Sequence, residues 1–329
     1  MSLQVVRSNR PDRLLDQMLE HFQADHSFEG EKVVFGLSLD EYGRDDHIYQ
    51  RLKDDPEAFR SGVGSVLITS SSDLYTKEAA KEIIHLLNGR GMEFPGHSVI
   101  EAIQDLKNMR KWARNLETDR LSALLAQARQ AGQRLAAYTP TKVKKLLVLH
   151  ANSRPDRSNT MQLFREVEHH LKIDYLAIEI LDEHIRDCAG CSYKTCGYYS
   201  SIQSCHFGGL FTDRILQQID QAGALLLLAP NYNDALSAKM MAVVNRLSVL
   251  YRRGPFYDKY VFALVVSGNS GSDSVARQII GAYHINKGFR LPARFYQQAI
   301  ANDPGEILQD RSLQTKTGQF ARDLMRYIE

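Results

Sequence analysis

KKLLVLHANSRPDRSNTMQLFREVEHHLK, residues 144–172, decides how the rest of this 329-residue chain is read. KKLLVLHAN (144–152) is a short apolar run whose polar residues gather at its C-terminal end. SNTMQLFREVEHHLK (158–172) then takes up helical spacing, with Ser158 placed to cap it and Met161, Phe164 and Leu171 near one face. An apolar strand feeding a helix through a polar loop is the unit of a parallel α/β sheet. The same alternation continues downstream. Strands are expected at DYLAIEILD (174–182), ALLLLAPNYN (224–233), KYVFALVVSGN (259–269) and ARFYQQAI (293–300). Helices are expected at 211–223, 237–253, 272–288 and 305–328. Five apolar strands alternating with helices predict a parallel sheet covered on both faces, the doubly wound arrangement.

In such sheets ligands gather beyond the C-terminal strand ends, where the strand order reverses. Three polar loops, ANSRPDRS, PNYNDALS and SGNSGSDS, follow the first, third and fourth of these strands at that edge. The first, NSRPDRSNT (152–160), opens a helix, so its free backbone N–H groups and the positive helix end are joined by hydroxyl, guanidinium and amide donors. That is an anion cradle without the glycine spacing of a Walker loop, and neither GxxxxGK[ST] nor GxGxxG follows a strand anywhere in the chain.

The residues upstream are less regular. KVVFGLSLDEY (32–42) and GSVLITSSSDLYTKEAAKEIIHLLNGRG (64–91) read as strand-to-helix units. DRLSALLAQARQAGQRLAAY (119–138) reads as one long helix with Leu121, Leu124, Leu125, Ala128 and Leu135 on a stripe, either core or a dimer contact. SSSDLYTKEAA (70–80) is explained by N-capping, and His97 and Glu101 read as surface polar residues. TPTK (139–142) breaks the pattern, which predicts an N-terminal α/β extension over 1–140 and a second domain over 141–329.

Composition excludes more than it assigns. A net charge of +2 gives no electrostatic argument for nucleic acid or acidic membranes. No run reaches membrane-spanning length, and MSLQVVRSNRPDRLLDQ lacks the apolar core of a secretory signal, so a cytoplasmic protein with no membrane partner is expected. All four cysteines, Cys188, Cys191, Cys196 and Cys205, fall in DCAGCSYKTCGYYSSIQSCHF (187–207), the segment after the second strand. Four thiolates in one compact loop, spaced Cys-x2-Cys-x4-Cys-x8-Cys, can wrap a [4Fe–4S] cluster or a tetrahedral zinc; redox-active thiols and unligated cysteines are the other readings. Tyr193, Tyr198, Tyr199 and Phe207 would shield a cluster, cover a neighbouring ligand or simply pack a long loop.

NSRPDRSNT resembles the GSPRxxSNT loop of the NADPH-dependent FMN reductase family, flavodoxin-like proteins that include the iron–sulfur flavoproteins. In that family the loop wraps the FMN phosphate. Ser153, Ser158, Asn159 and Thr160 match, Asn152 stands where glycine is usual, and Arg154-Pro155 replaces Pro-Arg. PNYNDALSAKMMAVVNR (230–246) is similar to the family's second signature at Pro230, Tyr232, Ser237, Ala238 and Arg246. The resemblance implies a flavodoxin-like fold and FMN held by Ser153, Arg154, Ser158, Asn159 and Thr160. Pro230, Asn231, Tyr232 and Asn233, and then Ser267, Gly268, Asn269 and Gly271, would complete that site. It also implies NAD(P)H as co-substrate, with hydride passing directly to flavin N5. Asp234, Asn245 and His284 are accordingly assigned no acid–base role, and His284 is read as a surface or capped residue. A homo-oligomer is expected, and the electron acceptor is a small molecule or a redox protein. A non-catalytic flavin and iron–sulfur electron carrier, and a flavin-free zinc-binding interaction module, are the alternative functions.

Overall fold

The computed structural model describes residues 3–55, 57–152, 154–180 and 185–329. The chain divides into two compact units, residues 1–139 and 140–329.

In the first unit β1 (Gln4–Arg7), α1 (Arg13–Gln23), β2 (Lys32–Leu39), α2 (Asp46–Asp54), β3 (Val63–Ser70), α3 (Thr76–Arg90), β4 (Val99–Ala102), α4 (Arg110–Asn115) and α5 (Arg120–Ala137) follow in order. The four strands are parallel and lie in the order β1-β2-β3-β4. β2 and β3 are buried almost throughout, which is why they read as near-continuous apolar runs. One core cluster joins Leu15, Met18, Leu19 and Phe22 of α1 to Leu124, Ala128, Ala131 and Leu135 of α5. The stripe on the long helix is therefore core, although Leu121 at its start is exposed. Asp119 caps α5, accepting from the N–H groups of Leu121 (2.8 Å) and Ser122 (3.0 Å). At Gly132 an added Cβ would stand 1.8 Å from the Phe22 carbonyl oxygen, so α1 and α5 meet backbone to backbone there.

Two local expectations are corrected in this unit. His97 and Glu101 are half-buried and engaged, not free on the surface: Arg134 Nη2 lies 3.1 Å from His97 Nδ1, His97 stacks on Trp112, and Thr76 Oγ1 donates to Glu101 at 2.7 Å. α3 has no side-chain cap. Tyr75 occupies the cap position at φ 74°, while the Ser70 and Ser72 hydroxyls accept from the N–H groups of Ser72 and Leu74.

The second unit runs β5 (Leu146–His150), α6 (Asn159–Glu168), β6 (Tyr175–Glu179), α7 (Tyr193–Ser201), α8 (Gln217–Gln221), β7 (Ala224–Pro230), α9 (Ala238–Arg246), α10 (Ser248–Tyr251), β8 (Tyr260–Ser267), α11 (Ser272–Ile279), β9 (Tyr296–Ile300) and α12 (Leu313–Met325). Its five strands are all parallel, in the order β6-β5-β7-β8-β9. This is the doubly wound sheet, with its reversal of strand order between β5 and β7. β7 and β8 lie inside the sheet and are covered on both faces, which is what ALLLLAP and YVFALVVS require. On one face Leu146, Val148, Leu226, Leu228, Phe262 and Leu264 pack with Leu163 and Phe164 of α6 and Phe320 and Leu324 of α12. Each such side chain stabilises the fold by roughly 1.5–3 kcal/mol on burial.

The helices differ from the expected continuous stretches. Phe211–Leu216 and Ile280–Ile285 are π-helical, preceding α8 and following α11 respectively. A π turn carries one more residue per hydrogen-bonded ring than the α-helix, so simple helical spacing does not foresee it. No helix among the described residues is long and apolar enough to cross a membrane.

His284 sits in the second π turn and is fully buried, not a surface residue, with Nδ1 2.7 Å from the Phe289 carbonyl oxygen. Burial pushes its pKa down to about 4 from 6.5, against the Phe289 hydrogen bond, which favours the charged form. Between those values the unfolded chain binds the proton more readily than the folded one, so stability rises with pH across the window. The contribution, on the order of 3 kcal/mol, is present in full above pH 6.5 and is lost as pH falls toward 4. Urea unfolding at a series of pH values should show this loss, and His284→Leu should flatten it. An equally steep loss in His284→Leu would refute the assignment.

Candidate cofactor cleft

The C-terminal ends of β5, β7, β8 and β9 open onto a cleft of about 630 Å³. Asn152, Arg154, Arg157, Ser158, Asn159 and Thr160 line it after β5. Pro230, Asn231 and Tyr232 line it after β7, Val266 and Gly268 at β8, and Ala301, Asn302 and Pro304 after β9. The lining contains two arginines and no carboxylate, so the cleft is electropositive.

The cradle after β5 is built by helix capping. Ser158 Oγ accepts from Met161 N at 3.3 Å and fixes the first turn of α6. The N–H groups of Asn159 and Thr160, at the first helical positions, have no intrahelical acceptor and lie at the cleft. Arg154 and Arg157 stand exposed on the turn before them, closed by the Arg157 N–H to the Arg154 carbonyl at 3.1 Å. Ser153 lies outside the described residues.

The β7 loop is a tight reversal. Tyr232 and Ala235 exchange both backbone hydrogen bonds at 3.1 Å, with Asn233 (φ 52°) and Asp234 (φ 59°) between them. Two successive left-handed residues make this a type I′ turn, and Asn and Asp tolerate that region better than other side chains. The turn leaves the Tyr232 ring exposed at the cleft. Asn231 Nδ2 ties the loop to its neighbour, lying 3.0 Å from Ser267 Oγ, 3.0 Å from the Ser270 carbonyl and 3.2 Å from Asp234 Oδ1. Ser267 is fully buried and shares a 2.7 Å hydrogen bond with Ser272, so it supports Asn231 from beneath. Asn233, Ser267, Asn269 and Gly271 are outside the cleft lining.

Gly271 is constrained twice. Its φ is +84°, and an added Cβ would stand 1.8 Å from Asp234 Oδ1. Gly271→Ala is expected to cost about 2 kcal/mol, read by denaturant unfolding. A loss below about 0.5 kcal/mol would show that the two loops are not locked together.

A fourth wall was absent from the expected site. After β9 the chain turns through Ala301–Pro304, and Asn159 clamps it. Asn159 Nδ2 donates to the carbonyls of Ala301 (3.3 Å) and Asp303 (2.9 Å), and Oδ1 accepts from the N–H groups of Gly305 (3.1 Å) and Ile307 (3.5 Å). Glu306 adds acceptance from Asn302 N (2.5 Å) and Asp303 N (2.9 Å). The Asn159 side chain, expected to reach a ligand, is thus committed to the loop, and only its backbone N–H remains for the cleft. Arg157, Val266, Ala301, Asn302 and Pro304 were also not foreseen. IANDPGE (300–306) carries a turn signature at a fifth strand end, and asking every strand end for a loop would have found it.

The sequence profile of the NADPH-dependent FMN reductase family matches residues 144–301, which carry all the cleft-lining residues but Asn302 and Pro304. Residues 144–301 belong to that family. Comparison with curated proteins gives no match. Among solved structures, the NAD(P)H:quinone oxidoreductase from Methanothermobacter marburgensis is similar at 14% identity over 56% of this chain and 96% of that one, with a TM-score of 0.39. An azoreductase from Bacillus anthracis str. Sterne is similar at 11% identity over 56% and 99%, with a TM-score of 0.37. The Trp repressor binding protein from Bacillus subtilis is similar at 17% identity over 54% and 96%, with a TM-score of 0.34.

The cysteine segment of the second unit is not the single loop that its four clustered cysteines suggested. All four cysteines are free, Cys188 exposed and the others half-buried. Among the described residues no three His, Cys, Asp or Glu side chains come together as a group able to hold a metal ion. The cause is local: Ser192 Oγ accepts from Thr195 N at 3.2 Å and starts α7. Cys196 therefore sits in a helix, with Cys188 and Cys191 before it and Cys205 beyond its end. Tyr193 and Tyr198 stand exposed and do not enclose a centre.

What holds this segment is its attachment to α9 and α10. Asn245 Nδ2 donates to Asp187 Oδ1 at 2.8 Å, Ser200 Oγ to the Val249 carbonyl at 2.6 Å, and the Arg252 guanidinium lies 4.2 Å from the Tyr193 ring centroid. Arg246, 2% exposed, donates to the Gly208 carbonyl and Thr212 Oγ1, both at 3.3 Å, and lies over the Phe211 ring at 4.2 Å. The arginine of the family's second signature thus fastens the chain just past the last cysteine.

Proposed function

We propose that this protein is an FMN-dependent oxidoreductase that takes hydride from NAD(P)H and passes the electrons to an acceptor. The observation that carries the reading is the cleft. One end offers a capped helix N-terminus, two arginines and no carboxylate; the other offers an aromatic ring on a rigid turn. These residues fit a phosphorylated flavin, and the volume lies within the range of cofactor sites. When bound, FMN supplies the chemistry of hydride acceptance at N5 and onward electron transfer.

The chain's own residues hold and orient. The N–H groups of Asn159 and Thr160 and the guanidinium groups of Arg154 and Arg157 would bind the phosphate, a dianion matched by two cations. Tyr232 provides a flat surface for one side of the ring system. The Asn231 network fixes the two loops that meet its edge. No step is routed through the four cysteines, which form no group able to hold a metal ion among the described residues.

Purified protein loaded with FMN should oxidise NAD(P)H catalytically with a soluble quinone or dye as acceptor. Protein that takes up no FMN would overturn the reading. Protein that binds FMN but is reduced only once per flavin, without turnover, would be a carrier and not an enzyme.

A further inference from the structure

We propose that Asn152 is a ligand-contacting residue that selects the phosphorylated form of the flavin, an inference that rests on the FMN reading above. The residue stands where the family usually has glycine, so nothing in the family pattern gives its side chain a task. In the structure it lines the cleft just after β5, at the strand-order reversal, and is 5% exposed. Its Nδ2 is sealed from water and has no hydrogen-bond partner among the described residues. A buried amide without a partner is destabilising, so a fold that places one at the lining of a cleft leaves the amide for an occupant to satisfy.

The neighbouring groups say which part of the occupant it meets. Ser158 Oγ is engaged by Met161 N, and the Asn159 side chain is engaged by the loop after β9. The Asn152 amide is therefore an uncommitted neutral donor beside the free N–H groups of α6 and the two arginines. The cleft lining, with two arginines and no carboxylate, favours an anion, and the amide adds a hydrogen bond that a glycine at this position lacks.

The test compares FMN with riboflavin, which lacks the phosphate, by titrating each into the apo protein and following flavin fluorescence. Asn152→Ala should weaken FMN by roughly tenfold or more. Asn152→Asp keeps the shape but sets a carboxylate against the phosphate, and should weaken FMN further. Riboflavin affinity of both variants should stay within about twofold of the wild type, because the contact made is with the phosphate. Thermal unfolding of apo Asn152→Ala should match or exceed that of the wild type, since no hydrogen bond among the described residues is lost. Equal losses for FMN and riboflavin, or none for either, overturn the proposal while leaving the cofactor assignment intact. A wild-type protein that binds neither flavin overturns both.

Discussion

Gly132→Ala is expected to unfold the first unit at moderate temperature. The added methyl would stand 1.8 Å from the Phe22 carbonyl oxygen and 2.8 Å from its carbon. These are backbone atoms of α1, so no side chain can rotate out of the way. Relief requires α5 to move off α1, and that opens the cluster of Leu15, Met18, Phe22, Leu124, Ala128 and Leu135. The penalty should reach about 3 kcal/mol or more, at the severe end for overpacking. Alanine is otherwise the better helix former by about 1 kcal/mol, so an exposed glycine would have been stabilised by the same change. Limited proteolysis is the direct measurement: cleavage sites should appear within residues 1–139 while 140–329 resists. A variant as resistant as the wild type would show that the helices separate at little cost.

Asn159→Leu should have the second largest effect. Leucine keeps the volume but removes four hydrogen bonds, leaving the Ala301 carbonyl and the Gly305 and Ile307 N–H groups without their partner and the Asp303 carbonyl with only the Glu306 N–H. With part of this relieved by water, the loss should be about 3 kcal/mol, well above the roughly 1 kcal/mol expected from deleting the Ser158 cap. FMN affinity should fall as well, although the side chain itself makes no contact available to the ligand, because the wall after β9 is no longer held. Denaturant unfolding and FMN titration of Asn159→Leu beside Ser158→Ala check both statements. Equal stability losses in the two variants would contradict the clamp.

These two residues also mark where sequence reading stopped. ALLLLAP and YVFALVVS are apolar along their whole length because both faces of their sheet are covered, and that physical fact is local enough to read. The loops after β5 and β7 were legible for a similar reason: a cap at Ser158 and a turn at Asn233-Asp234 are determined within a few residues. Asn159 was assigned to the ligand because its partners at 301–307 are far away in the chain, and no local pattern discloses them. β1 and β4 have four residues each, too few for a periodicity to stand out. The cysteine segment was read as one loop, although Ser192 starts a helix that carries Cys196.

The strand order has a consequence for synthesis. β5 is made first in its sheet, yet its partner β7 lies on the far side of β6 in the sequence, and β8 waits for β9. At elongation rates of about 5–20 residues per second, the roughly 150 residues from β5 to β9 occupy the ribosome for on the order of ten seconds. Through that interval a largely apolar strand, first β5, then β7, then β8, has an unpaired edge, the condition under which nascent chains associate wrongly. Yield in the cell should therefore depend on translation speed and chaperone supply even in variants whose finished fold is fully stable.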